Sequence, residues 1–254
     1  MFPRKIRVCE LFGIPIYLDF SLIILLVMFV MDFGSFTYGM SFALALAASI
    51  TLHELGHSLT ARIFGYNARE ITLSLLGGCA SFINLPRKAS QEFLTALAGP
   101  LVSFAIAGAA WLSLSYLPIV NPWTTNVLAY TFWMNVMLGG FNLLPGFPMD
   151  GGRIFRSVAR LFTTRAKATY IAMIVGRGFA ILLGLRGLHS LVTGGGWGFI
   201  SLLIAWMIWR EGWREYQQAL VEEQWGGRWD WSARVSPPPY GGDEDDVEVR
   251  RRSK

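Results

Sequence analysis

The sequence predicts an all-α polytopic membrane protein of about six transmembrane helices, with a membrane-associated β-hairpin near residues 71–83. Three observations carry this. Hydrophobic residues make up 53% of the 254 positions, and mean hydropathy is +0.43. Charged residues make up only 15%, against roughly 25% in an ordinary soluble domain. Long apolar stretches alternate with short loops, and the basic residues gather in alternate loops, as topology signals do. The net charge of +5 therefore reads as membrane orientation, with no nucleic-acid surface implied. The 2 cysteines, Cys9 and Cys79, lack metal or disulfide spacing.

Taken in order, residues 1–13 are basic and belong to the cytosol, without a clear cleavage site after them. Tyr17–Met31 is a first apolar span, started by Asp19 as a helix cap. A second span, 40–64, runs back and ends near Arg62. Residues 66–86 are too short and mixed to cross a bilayer. Ile71-Thr72-Leu73-Ser74-Leu75-Leu76 and Cys79-Ala80-Ser81-Phe82-Ile83-Asn84 read as two short strands around a Gly77-Gly78 turn. A third span, 92–116, contains Ala98-Gly99-Pro100, which suits close helix approach. The fourth, 125–144, leads into prolines and glycines that leave Asp150 in irregular backbone. Arg153, Arg156, Arg160, Arg165 and Lys167 form a basic cytosolic loop. The fifth, 168–190, carries Arg177 and Arg186, which tilt or snorkel. A Gly-rich turn at 193–198 precedes the sixth, 197–212, closed by Trp206, Trp209 and Trp213. Residues 1–212 form the transmembrane domain. Residues 213–254 form a cytosolic tail, helical over Glu211–Glu223 and disordered through Pro237 and the Asp243 acidic run.

The second span contains Thr51-Leu52-His53-Glu54-Leu55-Gly56-His57. Helical residues four apart lie about 40° apart around the axis, so His53 and His57 share a face. Two imidazoles there reach one zinc ion, and Glu54 is placed to act on water beside it. The chain has 3 histidines, so this pairing uses most of them. Ionisable groups at membrane depth are costly and point to function. A catalytic zinc needs a third protein ligand and an open position. His189 lies near the opposite face; Glu70 and Glu92 sit beside basic loops and read as surface charges. Asp150 has the right depth. The expected centre is one Zn2+ per chain held by His53, His57 and Asp150. Glu54 is the expected general base for amide hydrolysis inside the membrane. The Gly77-Gly78 hairpin would hold a substrate extended by adding it as a strand. Asn142 would hydrogen-bond the substrate backbone or the oxyanion, or else cap its own helix.

These residues resemble the site-2 protease family of intramembrane zinc metalloproteases. The resemblance rests on His53-Glu54-Leu55-Gly56-His57, Gly77-Gly78, Ala98-Gly99-Pro100, and Phe141-Asn142-Leu143-Leu144-Pro145 leading to Asp150-Gly151-Gly152-Arg153. It covers about residues 10–162, in order. It implies zinc ligation by His53, His57 and Asp150, catalysis by Glu54, a hairpin near the site, and cleavage of transmembrane substrates in regulated intramembrane proteolysis. The chain is most similar to a compact prokaryotic type without PDZ or CBS modules, and Ser103 stands where many relatives have Asn. The expected setting is a prokaryotic plasma membrane, both termini cytosolic and the site toward the cytosol. The lipid bilayer and a transmembrane protein or peptide are the expected partners. There is room for a regulatory membrane partner, and the sequence sets no oligomeric state. The alternative is a non-proteolytic relative that binds membrane substrates, or a metal-handling transporter. Intact Glu54 argues against the first, because binding needs no base. Against the second, the ionisable residues cluster at one depth and form no path of repeated ligands.

Overall fold

In the computed structural model, residues 5–32, 35–74, 77–82, 88–194 and 198–224 are described. The chain opens on β1 (Lys5–Leu11) and β2 (Ile14–Asp19), an antiparallel pair turning through Phe12 and Gly13 at positive φ. Helices α1 (Phe20–Asp32) and α2 (Phe36–Ile63) follow, then β3 (Ala68–Ser74) and β4 (Gly77–Phe82). The rest is helical: α3 (Ala89–Tyr116), α4 (Pro122–Asn142), α5 (Asp150–Ala159), α6 (Arg165–Val192) and α7 (Gly198–Gln224).

The expected hairpin, β3 with β4, is half of a larger sheet. Its strand order is β1-β2-β3-β4, with β2 parallel to β3 and the outer pairs antiparallel. This corrects the reading that placed no strand before residue 71. Ile14, Ile16 and Leu18 alternate at period two, the strand period. Ile14 and Ile16 are buried, and the apolar run behind them concealed the alternation. The first helix therefore starts at Phe20, later than the expected span. Asp19 sits at the joint as the expected cap: its Oδ1 accepts from the Ser21 N–H at 2.8 Å. The diglycine is also corrected. Gly77 and Gly78 are the first residues of β4, paired with Ser74 and Leu73. The connection, residues 75–76, lies outside the described residues.

One face of the sheet packs on α2. Ile14, Ile16, Ile71 and Leu73 meet Leu22 of α1 and Ile50 and Leu55 of α2. Ile50 and Leu55 bracket His53, so the core that seats the sheet also fixes the helix carrying the histidines. A second core joins Met149 to Ala180 of α6 and Ala205 and Ile208 of α7. Arg177 of α6 lies 4.5 Å from the ring centre of Trp209 and 5.4 Å from that of Trp213, both on α7. Indole faces thus cover the charge along α6.

Among the described residues, α2, α3 and α6, each 28 residues long, are long and apolar enough to cross a membrane. Each extends about 42 Å at 1.5 Å per residue, more than the roughly 30 Å hydrocarbon layer. The basic segment expected as a loop after Asp150 contains α5, and α7 runs unbroken past residue 213 to Gln224. Its last turns join α6: Glu222 pairs with Arg165, and Glu223 accepts from the Ala166 N–H. The expected Gly-rich turn includes residues 195–197, and the expected disordered tail lies beyond 224; both fall outside the described residues.

Candidate metal centre

His53 and His57 lie one turn apart on α2, their rings nearly perpendicular with centres 4.8 Å apart. Asp150, the first residue of α5, brings its Oδ2 to 3.2 Å from His53 Nε2 and 3.1 Å from His57 Nε2. All three residues are buried. The other ring nitrogens are held by α3. His53 Nδ1 lies 2.9 Å from Ser103 Oγ. His57 Nδ1 donates to the Thr95 carbonyl at 2.7 Å. A carbonyl only accepts, so His57 Nδ1 carries the hydrogen and, in the neutral ring, Nε2 presents a lone pair.

The cluster therefore sets the His57 Nε2 lone pair against the Asp150 carboxylate, with His53 Nε2 beside them. Its ligand atoms lie within 4.8 Å of each other, an arrangement that asks for a cation among them. Tetrahedral donors about 2.0 Å from a zinc ion stand about 3.3 Å apart, close to the Nε2–Oδ2 separations. The donor set, a carboxylate and two imidazoles whose outer ring nitrogens are held by α3, fits a divalent ion such as zinc. These residues could hold a metal ion.

Two glycines make the cluster possible. A Cβ on Gly99 would lie 2.2 Å from His57 Nε2 and 2.7 Å from His53 Nε2. A Cβ on Gly78 would lie 2.0 Å from Glu54 Cγ and 2.7 Å from its Oε1. Helix α3 and strand β4 thus press bare backbone against the histidines and Glu54. Asp150 arrives by a loop that is also tightly seated: Phe147 is 1% exposed, and a Cβ on Gly146 would meet Gly176 Cα at 2.5 Å. Asp150 does not lie in irregular backbone, as expected from its Gly-Pro context. Arg153-Ile154-Phe155-Arg156 continues it as a helix, whose N-terminal dipole favours a carboxylate.

The expected site residues divide as follows. His53, His57 and Asp150 converge, with buried Glu54 beside them under Gly78. Gly77 sits opposite Ser74. Asn142, the last residue of α4, donates from Nδ2 to the Leu138 carbonyl at 2.9 Å, along its own helix. His189 is exposed in the last turn of α6, outside the cluster. Glu70 pairs with Lys5. Glu92 is corrected: no surface charge, it is 6% exposed and paired with Arg156 and Arg160. Sequence reasoning passed over Thr95 and Ser103 as ring partners and Gly99 as the floor. Positions 95, 99 and 103 form a stripe of small and polar residues at spacing four through an apolar helix. That spacing marks one helix face and could have identified them.

Fold and cluster together define a membrane protein that buries a His-Glu-x-x-His helix against an aspartate from a distant helix. Comparisons place it further. The family model described as peptidase family M50 matches residues 41–123 and 118–185. A relative from Synechocystis sp. is 33% identical over 238 residues, 87% of this chain and 62% of that protein. A zinc metalloprotease of Methanocaldococcus jannaschii is 38% identical over 190 residues, 74% of this chain and 55% of that protein. The solved structure of a site-2 protease from Methanocaldococcus jannaschii superposes with TM-score 0.64 and 32% identity, covering 84% of this chain and 95% of that one. The chain thus spans 62% and 55% of the length of those first two relatives. It belongs to peptidase family M50, the site-2 protease family.

Proposed function

We propose that this chain is an intramembrane zinc metalloendopeptidase that hydrolyses peptide bonds in transmembrane segments of membrane proteins. The observation that carries the reading is the meeting of three possible ligand atoms from α2 and α5, with Glu54 beside them and bare β4 backbone over Glu54. His53, His57 and Asp150 would hold one zinc ion. When bound, that ion supplies a Lewis acid that acidifies water and polarises a carbonyl. Glu54 takes the proton of the attacking water and passes it to the leaving amine. The Thr95 carbonyl and Ser103 hydroxyl hold the imidazoles in register. Among the described strands β4 is an edge of the sheet, and Gly78 near its start lies against Glu54. A substrate added along that edge is held extended, with its amide carbonyls freed from helical bonding. Leu138 occupies one of the two Asn142 amide hydrogens; the second is a donor for the substrate backbone.

In this reading α1, α4 and α7 complete six spans with α2, α3 and α6. Both termini and the cluster face the cytosol of a prokaryotic plasma membrane, and residues 213–254 form the cytosolic tail. The partners are the bilayer and a transmembrane protein substrate.

The test is zinc content of the detergent-purified chain, wild type beside His53→Ala and Asp150→Ala, with cleavage of a reconstituted transmembrane substrate measured on the same samples. The expected result is about one zinc per chain, lost with cleavage in both variants. Zinc indifferent to both substitutions would leave the protease without its catalyst and favour a substrate-binding relative.

A further inference from the structure

Helix α5 carries Asp150, yet it has no fully buried apolar side chain. Its buried residues are Asp150, Gly151, Gly152, Arg156 and Ser157. Hydrophobic packing alone therefore does not set its orientation. The polar anchor is Arg156, 4% exposed. Its Nε and Nη2 donate to Glu92 Oε1 of α3 at 2.8 and 2.5 Å. Its Nη1 donates to Glu215 Oε2 of α7 at 2.9 Å. The guanidinium also stacks over Phe147, 4.8 Å from the ring centre, in the loop leading to Asp150. Arg160 reaches the second oxygen of Glu92 at 3.2 Å. One planar fork thus joins three helices.

Both ends of this fork lead to the metal centre. Along α5, Arg156 stands six residues from Asp150, about 9 Å at 1.5 Å per residue. Along α3, Glu92 stands one turn before Thr95, whose carbonyl orients His57. Arg165 with Glu222 makes a useful contrast, since that ion pair lines the same polar cavity but ties α6 to α7 and leaves α5 unbonded.

We propose that Arg156 is a positioning residue for the metal centre: by clamping α5 to Glu92 and Glu215, it fixes the Asp150 carboxylate against the Nε2 atoms of His53 and His57. The proposal rests on the reading of those three residues as metal ligands. Ligand sets tolerate displacements of only about 0.5 Å, so a loosened α5 costs metal affinity before it costs the fold.

The experiment uses the full chain in detergent, stripped of metal. Zinc affinity is measured by chelator competition, and coordination by the visible absorption of the cobalt(II) form. Wild type, His53→Ala, Arg156→Ala, Arg156→Lys and Arg165→Gln are compared, with melting temperature recorded for each. Arg156→Ala is expected to weaken zinc about tenfold, as losing a group that holds a ligand in place does, and to change the cobalt spectrum. Arg156→Lys keeps the buried charge but loses the planar fork; it weakens zinc by a smaller factor, about threefold, and decides the matter should Arg156→Ala fail to fold. Arg165→Gln is expected to lower the melting temperature and leave affinity and spectrum unchanged. Wild-type affinity and spectrum in Arg156→Lys and in any folded Arg156→Ala would overturn the proposal. So would an equal affinity loss in Arg165→Gln, which would make the effect general instability. Metal absent from wild type, or retained in His53→Ala, would instead remove the metal-centre reading and the proposal with it.

Discussion

Two buried polar clusters share helices α3 and α5, and they are satisfied differently. Around Arg156 the charges meet their opposites: Glu92 and Glu215 take the guanidinium, and Arg160 takes the remaining oxygen of Glu92. Around Asp150, one carboxylate oxygen meets two imidazole nitrogens whose rings are held from behind by neutral partners on α3, and His57 turns a lone pair toward it. Burying charge without compensation is expensive. The first cluster is complete as protein, and its work is to hold helices. The second is the group that could hold a metal ion, and it is the one to which the proposed chemistry is assigned. The difference is legible in the atoms each group still offers, since Arg156 and Glu92 are as buried as the two histidines.

The largest expected effect separates base from ligands. Glu54→Gln keeps the shape of the side chain and removes the proton acceptor. Cleavage is expected to fall by about 10²–10⁴-fold while zinc content stays at the wild-type level. Retained turnover would remove Glu54 as base and leave the cluster a binding site alone. The two glycines come next and sharpen the distinction. Gly78→Ala drives a Cβ into Glu54, and a 1 Å displacement of a reacting group costs about a hundredfold. Its cleavage should fall while zinc remains. Gly99→Ala drives a Cβ between the two Nε2 atoms, so zinc should be lost with activity. Equal zinc content in both variants would break the assignment of Gly78 to the base and Gly99 to the ligands.

A smaller effect belongs to Ser103. Ser103→Ala removes the partner of His53 Nδ1, and losses of this kind weaken metal binding about tenfold or somewhat more. Zinc affinity measured by competition checks it; an unchanged value would mean that packing on α2 alone fixes the ring.

Much of this was open to reading from sequence, for particular reasons. The histidines sit four apart in an apolar run, and Asp150 is an ionisable residue at the same depth, so helical period and membrane cost point to one place. The strands β1 and β2 were hidden because Ile14, Ile16 and Leu18 run directly into an apolar helix, and hydropathy does not mark where period two becomes 3.6. Helix α5 was hidden by its arginines, which read as loop charge in a chain where basic residues mark topology. Arg156 turns inward instead, because Glu92 and Glu215 await it from elements 64 and 59 residues away. Charge pairing across that distance leaves no local pattern. Gly78 read as a turn residue for a similar reason: the close approach that requires it comes from Glu54, on another element.

The smallest expected effect tests whether the Arg156 cluster is the self-compensated member of the pair. Burial alone would raise the Glu215 carboxyl; the Arg156 guanidinium outweighs it and holds Glu215 below the usual carboxylate value. A carboxyl with a depressed folded pKa contributes stability that is fully present above its unfolded value, about 4.3. That contribution is lost as pH falls through the lower folded value. The melting temperature in detergent should therefore hold from about pH 7 to pH 5 and drop below about pH 4. Glu215→Gln removes this carboxyl, so the acid drop should shrink while the neutral-pH melting temperature falls with the lost ion pair. An identical acid profile in wild type and Glu215→Gln would place the acid sensitivity in other carboxylates and weaken the account of this cluster as a charge-balanced clamp.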